Sequence, residues 1–239
     1  MTSANSSIPL RPFVLINMAM SADGKIATAG REVTTFGSPR DLEHLYELRA
    51  TADAILCGAR TIEETGATLG NGGEKFRRRR LKAGLAEYPV RVVVTGRGTI
   101  SPEAALWTKH TSPIVVLTTS RIPTSNRQWL EERAAEVWIS PGEELDFPAA
   151  LRHLRKRYGI GRLLSEGGAK VNDGLFRARV VDEINLTICP YVFGGQEAPT
   201  IAEGIGIEHL ADAAQFRLVS RRKIRDEMYA VYSAVPSAQ

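Results

Sequence analysis

Short apolar runs alternate with amphipathic stretches along most of this chain, and that alternation limits the fold more than any other feature. Phe13–Met18, Ala54–Cys57, Val90–Thr95, Ile114–Thr118, Glu136–Ile139 and Arg162–Ser165 read as buried strands. Between the first two, Thr35-Phe36-Gly37-Ser38-Pro39 opens a helix, with Ser38 as N-cap and Pro39 at the first helical position. Leu42, Leu45 and Tyr46 give it a buried stripe. Ser125–Ala135 predicts a second helix, and Phe147, Ala150, Leu151, Leu154 and Tyr158 mark a third. The C-terminal third changes character. Glu183–Cys189, Phe216–Arg222 and Tyr229–Ala234 read as strands with no long helix between them. The pattern predicts an α/β fold, with a mostly parallel central sheet and a C-terminal antiparallel hairpin on its edge.

Sheets of this kind bind ligands outside the carboxyl ends of their strands. The glycine and hydroxyl clusters fall at those places: Ser21–Gly24, Gly58–Thr61, Thr95–Gly98, Thr118–Ser120 and Glu166–Gly168. The last is the most informative. Leu163-Leu164-Ser165 ends in Glu166-Gly167-Gly168, and a helical pattern starts at once. Adjacent glycines remove the Cβ atoms that keep a ligand off the backbone. The following helix offers unpaired N–H groups and the positive end of its dipole, which suit a phosphate or diphosphate. Glu166 is then a charge beside an anion site. A tight turn with a surface Glu is the plainer alternative.

Composition narrows the function classes. The 239 residues carry 31 Lys and Arg against 27 Asp and Glu, a net charge of +4. That mild excess suits an anionic small molecule and is not the footprint of a nucleic-acid binder. The one dense basic cluster, Arg77–Arg80, lies in a Gly-rich stretch, Gly70 to Gly84, that reads as a mobile, solvated loop; phosphate or DNA binding there is secondary. Cys57 and Cys189 lack metal or redox spacing, so the protein is expected to be reduced and cytoplasmic. His44, His110, His153 and His209 are scattered, and no metal is expected. No stretch approaches the ~18 apolar residues of a spanning helix, so no membrane partner is expected. Residues 1–8 are polar and unlike a signal peptide; 1–10 is read as a flexible tail and 11–235 as a single domain.

Motifs for nucleophile elbows, P-loops and Gly-x-Gly-x-x-Gly turns are missing. Hydroxyl-rich strand ends with one carboxylate look instead like a site for a dinucleotide and a polar substrate. There the cofactor carries the hard chemistry and the protein positions the reactants.

Four blocks then carry a resemblance. Asn17-Met18-Ala19-Met20-Ser21-Ala22-Asp23-Gly24-Lys25-Ile26-Ala27 looks like the N-terminal signature of the pyrimidine reductases of riboflavin biosynthesis. Leu48-Arg49-Ala50-Thr51-Ala52-Asp53-Ala54-Ile55-Leu56-Cys57-Gly58-Ala59-Arg60-Thr61 resembles their second block. Ser165-Glu166-Gly167-Gly168 is similar to the third, and Val181-Asp182-Glu183 through Pro190-Tyr191-Val192-Phe193-Gly194-Gly195, continued by Gln196-Glu197-Ala198-Pro199-Thr200, to the fourth. The resemblance implies a dihydrofolate-reductase-like fold, NADPH across the strand ends, and a homodimer. It implies reduction of the ribose of a 6-ribosylamino-pyrimidine 5′-phosphate to a ribityl chain, by hydride transfer to C1′ of an opened imine. Carried over by position, Ala19, Arg60, Thr61, Thr95, Gly96, Thr118, Glu166, Gly167, Gly168 and Ala169 are expected to meet NADPH. Asn17, Ser21 and Thr65 are expected to meet substrate. Glu166, or ordered water, supplies or relays a proton. Arg60 and Arg97 are candidates for a 2′-phosphate.

One departure leaves the substrate open. Where the family has Asp-Asp-Pro or Asp-Asn-Pro, this chain has Thr65-Gly66-Ala67, with acids at Glu63 and Glu64. Gly58 to Gly66 is as close to the Gly-Arg-x-Thr-x-Glu block of dihydrofolate reductases. A reductase of a pterin or another heterocycle, or a non-catalytic NADPH-binding homologue, are therefore the alternatives. The zinc deaminase fused to many bacterial members has no motif here, so action before or after deamination is left open.

Overall fold

The computed structural model describes residues 10–31, 36–108 and 112–235; residues 1–9 of the expected tail, Thr35 and His110 lie outside them. Chain order runs β1 (Phe13–Ser21), α1 (Pro39–Arg49), β2 (Ala54–Gly58), α2 (Ala59–Thr65), α3 (Glu74–Lys82), β3 (Val90–Val94), α4 (Ala105–Thr108) and β4 (Ile114–Thr119). It continues α5 (Thr124–Glu131), β5 (Glu136–Ser140), α6 (Phe147–Tyr158), β6 (Arg162–Ser165), α7 (Ala169–Arg177), β7 (Glu183–Cys189), β8 (Phe216–Ile224) and β9 (Glu227–Ala234). The strands form one nine-stranded sheet in the order β5-β4-β3-β2-β6-β1-β7-β9-β8. Pairing is parallel from β5 to β7 and antiparallel for β7–β9 and β9–β8, so the expected parallel sheet and edge hairpin are both present.

Strand alternation divides the core between the two faces. Val14, Ile16, Leu56, Val92, Val115 and Leu117 point to one side and pack under α6 and α7 through Leu151, Leu154, Val171 and Leu175. Ile55, Cys57, Val93 and Val116 point to the other and meet Ile62 of α2, Leu106 of α4 and Leu130 of α5. A smaller cluster of Leu15, Ala52 and Leu164 receives Leu45 and Leu48 of α1. Covered on both faces, these strands read as continuous apolar runs, which is why their spans were legible.

The expected mobile stretch at Gly70–Gly84 is mostly helix. Glu74 pairs with Arg77 and Arg78 one turn on, Arg77 also reaches Glu87, and Arg79 reaches Glu47. Arg80 is fully buried, donating to the carbonyls of Arg49, Ala52 and Ala86. The basic run is therefore a tied structural helix and not a free patch. Periodicity missed it because its buried face is one phenylalanine and one arginine, Phe76 and Arg80.

Candidate active site

The carboxyl ends of the parallel strands open into a cavity of about 1210 Å³, bounded by α1, α2, the β3 and β4 ends and the start of α7. Asn17, Ala19, Arg60, Thr61, Thr65, Thr95, Gly96, Glu166, Gly168 and Ala169 all line it. Pockets for small ligands usually run to roughly 300–1,000 Å³, so this one has room for a dinucleotide-sized ligand with a second reactant beside it.

Glu166 sits at the tip of β6, where its N–H continues the ladder to the Leu56 carbonyl at 2.9 Å. Its carboxylate meets the Arg49 guanidinium in a two-pronged pair, Nε to Oε1 and Nη2 to Oε2, both 2.6 Å. The two side chains are 9% and 11% exposed. The remaining Arg49 nitrogen donates to the Gly70 carbonyl at 2.9 Å, and the guanidinium lies 5.4 Å from the Tyr46 ring centre. Burial works against the Arg49 charge, but Glu166 outweighs it and holds the guanidinium above its ordinary pKa. With both oxygens engaged by a planar fork, Glu166 is an anchor and poorly disposed to deliver a proton.

Beyond Glu166 the chain turns through Gly167, at φ +79°, and a cis Gly167–Gly168 peptide into α7. The Gly167 carbonyl accepts from Gly58 N–H at 2.8 Å, locking the turn onto β2. A Cβ built on Gly168 would stand 2.6 Å from Thr61 Oγ1, so the Thr61 hydroxyl at the start of α2 lies against bare backbone at the start of α7. No side chain caps α7, and its first-turn N–H groups at Ala169 and Lys170 have no intrahelical partner. Two helix starts, a Thr hydroxyl and a Cβ-free backbone form a cradle whose donor set fits a diphosphate.

Four expected site residues lie outside the cavity lining. Ser21 is fully buried, its hydroxyl donating to Asp23 at 2.5 Å and accepting from Lys25 N–H at 2.9 Å, so it shapes the turn after β1. Thr118 is also fully buried, pointing away from the cavity because the pleat places Thr119 there, with its hydroxyl on the Gly96 carbonyl at 2.7 Å. Gly167 lies behind Gly168, against Met18. Arg97 does not line the cavity, whereas Arg121 does. Thr65 reaches the lining, but its hydroxyl donates back to the Thr61 carbonyl at 2.7 Å. Nearby, Glu63 accepts from Ser101 N–H at 2.7 Å, and Glu64 lines the cavity.

Arg49, Asp41 and Arg121 are among the lining residues that sequence reading passed over. Arg49 carried a signal, a charge on the inward side of an amphipathic helix. Asp41 carried none, since an acid in a first helical turn is ordinary.

Among the described residues, no helix is long and apolar enough to cross a membrane. The profile of the RibD C-terminal domain matches residues 12–230. A protein of Aquifex aeolicus named 2,5-diamino-6-ribosylamino-4(3H)-pyrimidinone 5′-phosphate reductase is 30% identical over 88% of this chain and 91% of its own length. One of the same name from Methanothermobacter thermautotrophicus is 31% identical over 94% of this chain and 99% of its own. Among solved structures, a pyrimidine reductase-like protein of Corynebacterium diphtheriae superposes with a TM-score of 0.78 at 19% identity, over 95% of this chain and 93% of that one. RibD of Acinetobacter baumannii gives 0.76 at 20% identity over 95% of this chain, which spans 58% of that longer protein. At those identities the structural likeness shows the fold.

Proposed function

This chain belongs to the RibD C-terminal domain family, and from that premise we propose that it reduces a 6-ribosylamino-pyrimidine 5′-phosphate to its ribitylamino product with NADPH. The observation that carries the reading is the Gly168–Thr61 approach beside the uncapped start of α7, facing a cavity roomy enough for two reactants. The full-length relatives act, by name, on the 2,5-diamino form, which favours reduction before deamination. A single domain over 11–235, working as a cytoplasmic homodimer, completes the proposal.

Residues divide along the cavity. Thr61, Gly168 and Ala169 hold the diphosphate, Thr95, Gly96 and Thr119 hold the adenosine side, and Arg60 with Arg121 face a 2′-phosphate. When bound, the reduced nicotinamide supplies a hydride equivalent. Ala19 and Glu166 border its ring, with Glu166 held in place by Arg49. Asn17 and Glu64 face the pyrimidine and ribose, Glu64 standing where Thr65 turns back on its helix. Met18, Leu45 and Phe147 give the cavity apolar lining that keeps water from the reactants, whose reacting carbons must come within ~3–3.5 Å for such a transfer.

The test is oxidation of NADPH by purified protein, offered ribosylaminopyrimidine phosphates and dihydrofolate in parallel. Turnover of the diamino pyrimidine phosphate is expected. Turnover of dihydrofolate alone, or NADPH binding with no turnover, would overturn the assignment.

A further inference from the structure

Resting on the reductase reading, we propose that Asp41 is the acid that protonates the ribose ring oxygen of the substrate, with the buried Glu227 as its charged neighbour. Ser38-x-x-Asp41 has capping-box spacing: the Ser38 hydroxyl accepts from the N–H groups of Arg40 and Asp41, at 3.2 and 3.3 Å. In such a box the carboxylate three residues on takes the serine N–H in return. Here Glu227, from β9, takes it instead, at 2.6 Å, and accepts the Ser38 hydroxyl at 2.6 Å as well. Displaced from its capping role, Asp41 turns its carboxyl over Gly37, where any side chain would collide with it, and lines the cavity.

The groups around Asp41 separate the two acids. Glu227 is 6% exposed; burial opposes its charge, but hydrogen bonds from Ser38 and Tyr229 outweigh burial and hold it below the ordinary carboxylate range. Asp41 is pushed up by burial above all, the hydroxyl of Thr187 opposing and the Glu227 charge adding to the rise. From α1, His44 faces it; burial, with Arg222 of β8 beyond, pushes that imidazole down. Thr187 and Cys189 of β7 and Tyr229 of β9 complete the surroundings, with no arginine or lysine on the carboxyl among the described residues. Two carboxyls driven apart in this way mark one as the proton carrier. In the same cavity, Asn17 is 8% exposed and its Oδ1 meets no partner among the described residues, an acceptor left for a donor on the substrate.

The step balances. The C1′–O4′ bond breaks with its electron pair on O4′, which takes the Asp41 proton as the ring opens. The nitrogen lone pair forms the C1′=N iminium. Hydride addition at C1′ returns that pair to nitrogen, and the Asp41 carboxylate regains a proton from solvent. One proton and one hydride are consumed, as the net reduction requires.

Two measurements decide it. In kinetics, kcat/KM of the wild type falls as pH rises through the Asp41 titration; Asp41→Asn lowers kcat/KM at least ~100-fold and removes that limb, and Asp41→Glu restores part of the rate. Without ligands, carbon-13 NMR finds the Asp41 carboxyl titrating above the ordinary aspartate value, and Glu227→Gln moves it down. An active wild type with Asp41→Asn within a few-fold of it and the same pH limb sinks this proposal alone. An Asp41 carboxyl that titrates normally does so too. A wild type without turnover sinks the reductase reading and this proposal with it.

Discussion

Arg49 and Glu166 stand 117 positions apart in sequence and meet through two parallel 2.6 Å hydrogen bonds where α1 ends and β6 ends. The pair ties the helix wall of the cavity to the strand that delivers the Gly-Gly turn. Breaking it leaves a buried charge without compensation, which costs about 3–5 kcal/mol. Arg49→Met is therefore expected to lower unfolding free energy by that amount in urea, and the double variant Arg49→Met/Glu166→Leu to recover much of it. Single and double variants of equal stability would show that the pair is not a unit.

Gly168 has no room for a side chain beside Thr61. Gly168→Ala has to displace the Thr61 hydroxyl or shift the start of α7, a strain of about 1–3 kcal/mol. If the cradle holds the cofactor diphosphate, NADPH affinity measured by fluorescence or calorimetry drops at least ~10-fold, and Thr61→Ala in the same background relieves part of the loss. An unchanged Kd in Gly168→Ala would place the diphosphate elsewhere.

The Asp23 carboxylate is an anchor with a pH signature. It accepts the Ser21 hydroxyl at 2.5 Å and the N–H groups of Phe193 and Gly194 at 3.1 and 2.8 Å, joining the turn after β1 to the loop after β7. The Ser21 hydroxyl first, then the Gly194 N–H, hold its pKa down to about 2 from an ordinary 3.8. A folded pKa below the unfolded one stabilises above the unfolded value and loses that contribution as pH falls through the folded value. Asp23→Asn is thus expected to be less stable than wild type at neutral pH. Thermal unfolding should show the gap narrowing from about pH 4 down to about pH 2; a gap constant with pH would contradict it.

Arg121 lines the cavity beside Gly96 and Arg97 does not. A 2′-phosphate is therefore expected to be read by Arg121. Arg121→Ala should weaken NADPH binding ~10-fold or more while leaving NADH binding near its wild-type value, the loss of one charged hydrogen bond being about 1.5–3 kcal/mol. Equal losses for both cofactors would mean that Arg121 shapes the site without reading the phosphate.

What the sequence determined by itself was local. Arg162–Ser165 and Glu183–Cys189 end as strands where their apolar patterns end, Phe147–Tyr158 follows its helical stripe, and Ser38 with Pro39 starts α1 as their cap chemistry requires. Each rests on residues within one or two turns of one another, where spacing translates directly into geometry. The tertiary structure decided the partnerships. Only the folded sheet sets the pleat at the end of β4, turning Thr119 and not Thr118 into the cavity. Only packing tells that Arg80, in an outwardly basic run, is buried against the carbonyls that end α1. Only β9 beside β7 brings Glu227 to Ser38, 189 positions away, and so releases Asp41 from its cap. A capping box or a charged helix reads the same in sequence whether its bond closes locally or is taken by a distant strand, because the competing partner arrives only when the sheet is assembled.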